Sequence, residues 1–433
     1  MALQEKHSQG SHLIRHSLPC VLMRAGTSKG LFLHRSHLPE KEVGWPSHLI
    51  SALGSRNNDP RQVDGVGGGT STTSKVAVVS PSLRPDADVD FTFVQVAVGR
   101  ESVDFSGNCG NMSSGVGPFA VQEGLVVPQP GQAEIDVRIF NTNTNRIIVE
   151  TIEIDETGQY KEDGNYTIPG VKSFGSEVKC SFVDPAGSMT GSLFPSGQKQ
   201  QWLNILSCPL VPQLELFRVR VTLIDAANPF VLVDSSSISG ILKTLPSPET
   251  QHQLVESIRL KGAVAMGLAS SIEIAAQTRG TPKIALLRSP VRRTAKDIEK
   301  PGIRVQSYSM GLPHPSLQLT GAVCLGAAVS VKGTIAADLA ALVDIDESLP
   351  PTPKRTPPPN IKGDREMDDE VRTVLIEHSK GTIPVRVVRR GEEEIASCAV
   401  SRTARRLFEG RVIYYTETSS RAFAEKHSFK KMA

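Results

Sequence analysis

The succession of patterns along the 433 residues predicts an α+β fold of two similar halves, each wrapping a mostly antiparallel sheet round one central helix. Three observations predict it. Short runs rich in Val, Ile, Thr and Phe recur along the chain between Gly, Asn and Pro turns, as strands do. Each half holds one segment of helical length that is apolar and rich in small residues, Ser113 to Gly124 and Gly321 to Val331. Such a segment suits a helix buried on every side. The order of strand, Gly-rich turn and buried helix occurs in both halves, the second time from Val305–Met310 through Thr320-Gly321-Ala322.

The elements follow in order. Residues 1–19 read as a disordered leader, polar, with His7, His12 and His16 and no signal-peptide core. Only Glu5 is acidic before Glu40, so a mitochondrial presequence stands as the lesser alternative to a cytoplasmic protein. Val21 to Leu33 reads as two strands about Gly26-Thr27-Ser28-Lys29-Gly30. Val76–Ser80 and Val89–Val98 are strands; Ile135–Asn141 and Arg146–Ile154 are two more about a Thr-Asn turn. Ala186 to Gln200, rich in Gly and Ser, reads as a hinge between domains. Arg218–Asp225 and Phe230–Asp234 flank Ala226-Ala227-Asn228-Pro229, and His252–Met266 is an amphipathic helix. Strands follow at Lys283–Leu287, Ile303–Met310, Val371–His378, Thr382–Arg389, Glu394–Ser401 and Arg411–Thr416. Leu349 to Asp364 is proline-rich and charged, an exposed loop rather than an element. The domains expected are therefore 20–195 and 196–409, the second carrying the Pro-rich loop 349–364, with 410–433 as final strand and tail.

Composition bounds the function. Apolar residues make up 39% and charged residues 21%, which suits one large or two medium soluble domains. The net charge of +3 and 5% aromatics carry no basic-aromatic pattern for nucleic acid. No stretch approaches the roughly 20 apolar residues that span a bilayer. Cys20, Cys109, Cys180, Cys208, Cys324 and Cys398 are scattered without CxxC spacing, so neither a disulfide framework nor a metal site is expected.

Gly107-Asn108-Cys109-Gly110-Asn111 sets one thiol between glycines and amides just before a predicted helix. Glycine lets backbone approach a ligand closely. Helix N-terminal N–H groups are unpaired and favour anions, and they lower the pKa of a cysteine placed there. Most isolated cysteines are simply buried hydrophobes; the Gly-Asn flanks set this one apart from the other five. Two such helix ends facing one cleft would hold a di- or tricarboxylate. A second cluster, Asp64-Gly65-Val66-Gly67-Gly68-Gly69-Thr70-Ser71-Thr72-Thr73-Ser74-Lys75, ends in a lysine at a strand start. It lacks the order of a nucleotide-binding Walker A loop. A lysine enclosed in a site can serve as acid or base; a solvated surface lysine is the plain alternative. Arg24 and Lys29 are further cations near the first turn, either balancing substrate charge or forming solvated ion pairs.

These residues carry a resemblance. Met23-Arg24-Ala25-Gly26-Thr27-Ser28-Lys29-Gly30, Ser71-Thr72-Thr73-Ser74-Lys75-Val76, Gly107 to Asn111, Ser309-Met310-Gly311 with His314, Thr320-Gly321-Ala322 and Arg402 to Leu407 stand in the order of one family. The chain resembles the 2-methylaconitate isomerase (PrpF-like) family, which includes methylitaconate Δ-isomerase, 4-oxalomesaconate tautomerase and fungal aconitate Δ-isomerase. The resemblance implies a diaminopimelate epimerase-like fold with the active site in the cleft between two similar domains. It implies catalysis without metal or organic cofactor on unsaturated di- and tricarboxylates. It makes Lys75 and Cys109 the catalytic acid–base residues. Thr27, Ser28, Ser71, Asn108, Gly110, Asn111, Ser309, His314, Thr320 and Gly321 would bind the substrate carboxylates.

Related epimerases and racemases use two cysteines, one per domain. Here Gln318-Leu319-Thr320-Gly321 offers none, and Cys324 lies beyond it within the predicted helix. A two-thiol racemase is disfavoured. The expected reaction is an allylic proton shift, cis-aconitate to trans-aconitate, since the extended, proline-inserted chain has a eukaryotic look. The alternatives are 2-methylaconitate cis–trans isomerisation, 4-oxalomesaconate tautomerisation and, in another class, a non-catalytic metabolite-binding helper. The expected partner is a small polycarboxylate, neither nucleic acid nor membrane, with a homodimer left open.

Overall fold

The structure, a computed structural model, describes residues 13–205, 216–290, 302–341 and 369–417. Cys208 and the loop 349–364 lie outside the described residues.

The first half opens with β1 (Leu13–Ala25), which turns at Gly26-Thr27 into antiparallel β2 (Ser28–His34). After α1 (Trp45–Leu53), β3 (Lys75–Pro81) returns parallel to β2, and β4 (Val89–Val96) runs antiparallel to β3. A short β5 (Val103–Asp104) folds onto β4 and leads to α2 (Gly110–Ser113) and α3 (Val116–Gln122). Then β6 (Glu134–Asn141) lies parallel to β4, followed by antiparallel β7 (Arg146–Glu153) and β8 (Val178–Val183).

The second half repeats this order. After β9 (Gln201–Ile205), β10 (Phe217–Asp225) pairs antiparallel with β11 (Pro229–Asp234). Helices α4 (Ser239–Thr244), α5 (Pro248–Ala265) and α6 (Ile272–Ala275) precede β12 (Lys283–Arg288), parallel to β11. Antiparallel β13 (Gly302–Ser309) and short β14 (Leu312–Pro313) lead to α7 (Leu319–Ser330) and α8 (Ile335–Ala341). Then β15 (Glu370–His378) lies parallel to β13, followed by antiparallel β16 (Gly381–Arg390) and β17 (Glu394–Arg402). Strand for strand, β1–β8 and β10–β17 carry the same sequence of parallel and antiparallel pairings. The halves join where β8 pairs with β17.

Each sheet curls round its helix. All twelve residues of α7 are buried, which explains why it carries no charged residue and only Thr320 and Ser330 as hydroxyls. Gly326 is one reason it fits: a Cβ there would stand 2.7 Å from Val385 Cγ1 on β16. No single described helix is long and apolar enough to cross a membrane.

Four expectations change. Residues 13–19 are not leader but the start of β1, paired with β18 (Ala404–Glu417) from Leu13↔Glu417 onward. That last strand begins at Ala404 rather than at 410 or 411, and it lies on the edge of the first half, so the 409/410 boundary cuts through it. The helix predicted over 113–124 is the shorter α3, Val116–Gln122, and a separate short helix, α2, stands before it. Pro118 has no N–H to give the Ser114 carbonyl, and the ladder breaks there. The connection 186–200 is pinned: the Asp225 carboxylate accepts from Ser188 Oγ at 2.5 Å and from the Met189 and Thr190 N–H groups at 2.8 Å.

Candidate active site

The two helix starts meet between the halves. Gly110 opens α2, and a Cβ there would stand 2.8 and 2.9 Å from Leu319 side-chain atoms and 3.1 Å from the Thr320 nitrogen of α7. Only glycine permits that approach. Cys109 is the residue before α2, extended in backbone and half-buried. Asn108 is clamped from the other half. Asn228, in the β10–β11 turn, accepts from the Asn108 N–H at 3.0 Å and donates to its carbonyl at 2.7 Å and to Thr320 Oγ1 at 3.2 Å. The β1–β2 turn does the reciprocal work. Thr27 Oγ1 accepts from Asn111 Nδ2 at 3.0 Å and lies 3.1 Å from Ser316 Oγ of the second half.

Lys75 is the first residue of β3 and is buried. Its Nζ donates to Gln95 Oε1 at 2.6 Å and sits 4.8 Å from the Phe93 ring centroid. Gln95 is its register partner on β4, and its amide is oriented by donating to the Ser74 carbonyl at 2.8 Å. The preceding loop is fixed by Gln62, which donates to Ser55 and Ser74 hydroxyls and accepts from the Gly69 N–H. The glycine-hydroxyl loop is thus an ordered cradle.

The second half contributes Lys283, the first residue of β12. Its Nζ lies 3.4 Å from the Asn108 carbonyl and 3.3 Å from Thr320 Oγ1. Gln318 precedes α7 as Cys109 precedes α2. Its amide accepts from Ser307 Oγ in a short hydrogen bond and donates to the Tyr308 carbonyl at 3.1 Å. His314 is buried, and its Nδ1 accepts from the Ser316 N–H at 3.2 Å. A neutral ring held so carries its proton on Nε2, as a donor.

Electrostatics separate these groups. Burial works to raise the Cys109 pKa, but the ammoniums of Lys75 and Lys283 and the Met112 N–H outweigh it, and the thiol stands below its ordinary value. Burial pulls Lys283 down to about 8, against the opposing pull of Cys109. Burial pulls His314 down to about 4, so it is neutral at physiological pH. Cys324 and Cys398, by contrast, are raised by burial and are inert core thiols.

Ser28, Ser71, Lys75, Asn108, Cys109, Asn111, Ser309 and His314, all singled out from the sequence, line one cleft of about 520 Å³ including its mouth. Ser28 Oγ is buried there without a hydrogen-bond partner. Thr27, Gly110, Thr320 and Gly321 stand behind the lining. Thr27 and Thr320 brace the helix starts, Gly110 makes room for them, and Gly321 packs against Leu317 and Phe230. Arg24 is engaged elsewhere, donating to the Gly26 and Thr403 carbonyls at 3.1 and 2.7 Å. Sequence reasoning missed Gln95, Asp104, Lys283 and Gln318, which share the cleft. Lys283 opens a strand of the second half as Lys75 opens one of the first, a correspondence that only the paired sheets make visible.

This geometry has known counterparts. The chain is 34% identical to 2-methyl-aconitate isomerase of Cupriavidus necator over 75% of this chain and 84% of that one. It is 32% identical to 4-oxalomesaconate tautomerase of Pseudomonas putida over 93% and 97% of the two chains. A crystal structure of methylitaconate Δ-isomerase superposes with a TM-score of 0.65 at 30% identity, covering 92% of this chain and 96% of that one. The fold is the diaminopimelate epimerase-like one. Residues 15–347 match the family model described as PrpF protein. The chain belongs to the PrpF family and is an isomerase of the aconitate and methylitaconate type.

Proposed function

We propose that the protein shifts the double bond of an unsaturated tricarboxylate by moving an allylic proton, and that its reaction is cis-aconitate to trans-aconitate. One observation carries the reading: a thiol held below its ordinary pKa by two lysines shares with them a cleft otherwise lined mainly by neutral donors. That set suits a substrate that is already a polyanion. The ammoniums balance carboxylate charge, and Ser28, Ser71, the two asparagines and the His314 Nε2–H supply hydrogen bonds.

The chemistry balances without a co-reactant. A base takes one proton from the CH₂ beside a carboxylate. Its electron pair forms a dienolate across the allyl unit, and oriented donors stabilise the growing oxyanion charge. A proton added at the former vinyl carbon completes the shift. In aconitate the shifted double bond regenerates the same carbon skeleton, so the outcome shows as a change from cis to trans. Cys109 and Lys75 are the acid–base pair of this reading.

The test is proton NMR in D₂O with cis-aconitate and 2-methylaconitate in parallel. Trans-aconitate carrying deuterium at the new CH₂ is the expected product. Turnover of 2-methylaconitate alone would move the substrate to that acid, as the relative from Cupriavidus necator suggests. Binding of either acid with no exchange and no isomer would favour a metabolite-binding protein and sink the isomerase reading.

A further inference from the structure

We propose that Lys283 is a second proton-transferring lysine of this cleft, the counterpart in the second half of Lys75 in the first. The inference rests on the allylic-shift reading above and extends it to the other end of the proton transfer. Two independent lines lead to it.

The first is the internal repeat. β2 and β3 run parallel, as do β11 and β12. Lys75 is the first residue of β3 and Lys283 the first of β12. The antiparallel strands that follow, β4 and β13, lead through the short strands β5 and β14 to the helix starts that face each other. The two ammoniums therefore enter one cleft from opposite halves, with Cys109 close enough to feel both.

The second is elimination among the described residues. The cleft holds five titratable side chains: Lys75, Asp104, Cys109, Lys283 and His314. Only Lys283 and His314 belong to the second half. His314 has Nδ1 occupied by the Ser316 N–H, and burial keeps the ring neutral. The place before α7 that could have held a second thiol is taken by Gln318, whose amide does not titrate and is bonded to Ser307 and Tyr308. Asp104, from the first half, accepts from the Ser106 and Gly280 N–H groups at 2.7 and 2.9 Å. What remains to exchange a proton from the second half is Lys283. Its neighbours Asn108 carbonyl and Thr320 Oγ1 can hold the nitrogen in place in either protonation state. The titratable groups that bear on it are Cys109 before α2, Lys75 on β3, Asp104 on β5 and the buried thiol of Cys324 on α7.

The step is simple in its balance. An N–H bond of the Lys283 ammonium breaks as a C–H bond forms on the dienolate, or the reverse. The nitrogen regains its proton from solvent or the neighbouring thiol, and no oxidant or reductant takes part.

An alternative role is purely electrostatic, holding Cys109 as thiolate. Arginine separates the two, because a guanidinium keeps the charge but does not give up its proton near neutral pH. The experiment compares wild type, Lys283→Gln and Lys283→Arg in D₂O. It measures isomer formation, deuterium uptake at each allylic carbon and the pH dependence of Cys109 alkylation by iodoacetamide. Thermal melting checks each fold. Both variants should lose isomer formation by about 100-fold or more, the scale of lost acid–base catalysis. Both should still take deuterium into the substrate at one carbon, abstraction without completion. Lys283→Arg should keep a wild-type alkylation profile. Isomerisation within threefold of wild type in Lys283→Gln, or rescue by Lys283→Arg, would overturn the proposal. Inertness of the wild type itself toward both acids would remove the isomerase reading and this proposal with it, before any variant is compared.

Discussion

Cys109 stands before α2 in the first half, and Gln318 holds the same place before α7 in the second. Around them the architecture is repeated strand for strand: a lysine at the head of β3 and of β12, a turn residue that braces the helix start of its own half, and two helix ends in contact. The duplicated parts bring a lysine from each half to one cleft; the part that differs, a thiol against an amide, decides which symmetry the site has. A racemase needs acid–base groups on opposite faces of one carbon. An allylic shift takes a proton from one carbon and gives it to another. One thiol flanked by lysines fits the second task, and the amide at position 318 removes the symmetry that the first demands.

The sharpest way to break this comparison is to exchange its unequal members. Cys109→Ser replaces a thiol held below its ordinary pKa with a hydroxyl that does not ionise near neutrality. Isomerisation should fall by about 1000-fold, within the range for general acid–base groups. Adding Gln318→Cys to that variant restores a thiol on the opposite helix start. Recovery should stay below about tenfold, because a thiol before α7 does not stand where the Cys109 thiol stands before α2. Full recovery in a rate assay would mean that the halves are interchangeable.

The same comparison shows what the sequence made legible. Strands such as Ile135–Asn141 and Phe230–Asp234 announce themselves by local apolar and β-branched pattern. Cys109 stands out because its Gly-Asn flanks have no ordinary core use. The pairing of Leu13–Pro19 with Arg411–Glu417 does not, because its partner lies some 400 positions away and both strands leave one face exposed. Lys283 stayed hidden for a related reason. Its surroundings in sequence, Thr278-Arg279-Gly280-Thr281-Pro282-Lys283, hold one glycine and two hydroxyls where the loop before Lys75 runs through three consecutive glycines and five hydroxyls. Its place in the cleft comes only from the register of the second sheet. The residues behind the lining, Thr320 and Gly321, belong to the same motif as the helix start, and motif reading cannot tell a brace from a ligand contact.

The braces themselves give smaller effects. Asn228→Ala removes three hydrogen bonds and leaves the buried Asn108 N–H unpaired. A stability loss of about 2 kcal/mol is expected from one buried unsatisfied donor with its lost bonds. Calorimetry would show it, with kcat falling more than KM rises as Asn108 loosens. An unchanged melting temperature would mean that the clamp is replaceable by water. Gly110→Ala tests the contact from the other side. The new methyl meets Leu319 and Thr320 at 2.8 to 3.1 Å. It should cost about 1–2 kcal/mol as overpacking and spread the helix starts. Wild-type kcat in that variant would show that their separation is not critical.

The last difference between the halves lies deep in the first core. Glu150 on β7 is fully buried; it accepts from the Gly117 N–H at 2.8 Å and lies 3.6 Å from the Cys180 sulfur. β16 has no carboxylate in its buried positions, which are Ile383, Val385 and Val387. Burial pushes the Glu150 carboxyl up to about 8, from the 4.5 near which it ionises in the unfolded chain. Between those values the folded protein keeps a proton that the unfolded chain has released. Its contribution therefore lowers stability steadily as pH rises from 4.5 to 8 and levels off above. Glu150→Gln keeps an acceptor for the Gly117 N–H and removes the titration. It should raise stability at pH 7 by about 1 kcal/mol, less than the ionisation cost alone because the new amide N–H₂ must find a partner. The gain should shrink toward pH 5 and grow toward pH 8. Denaturant unfolding at pH 5, 7 and 8 would read it, and parallel curves for the two proteins would show that the carboxyl is already ionised in the fold.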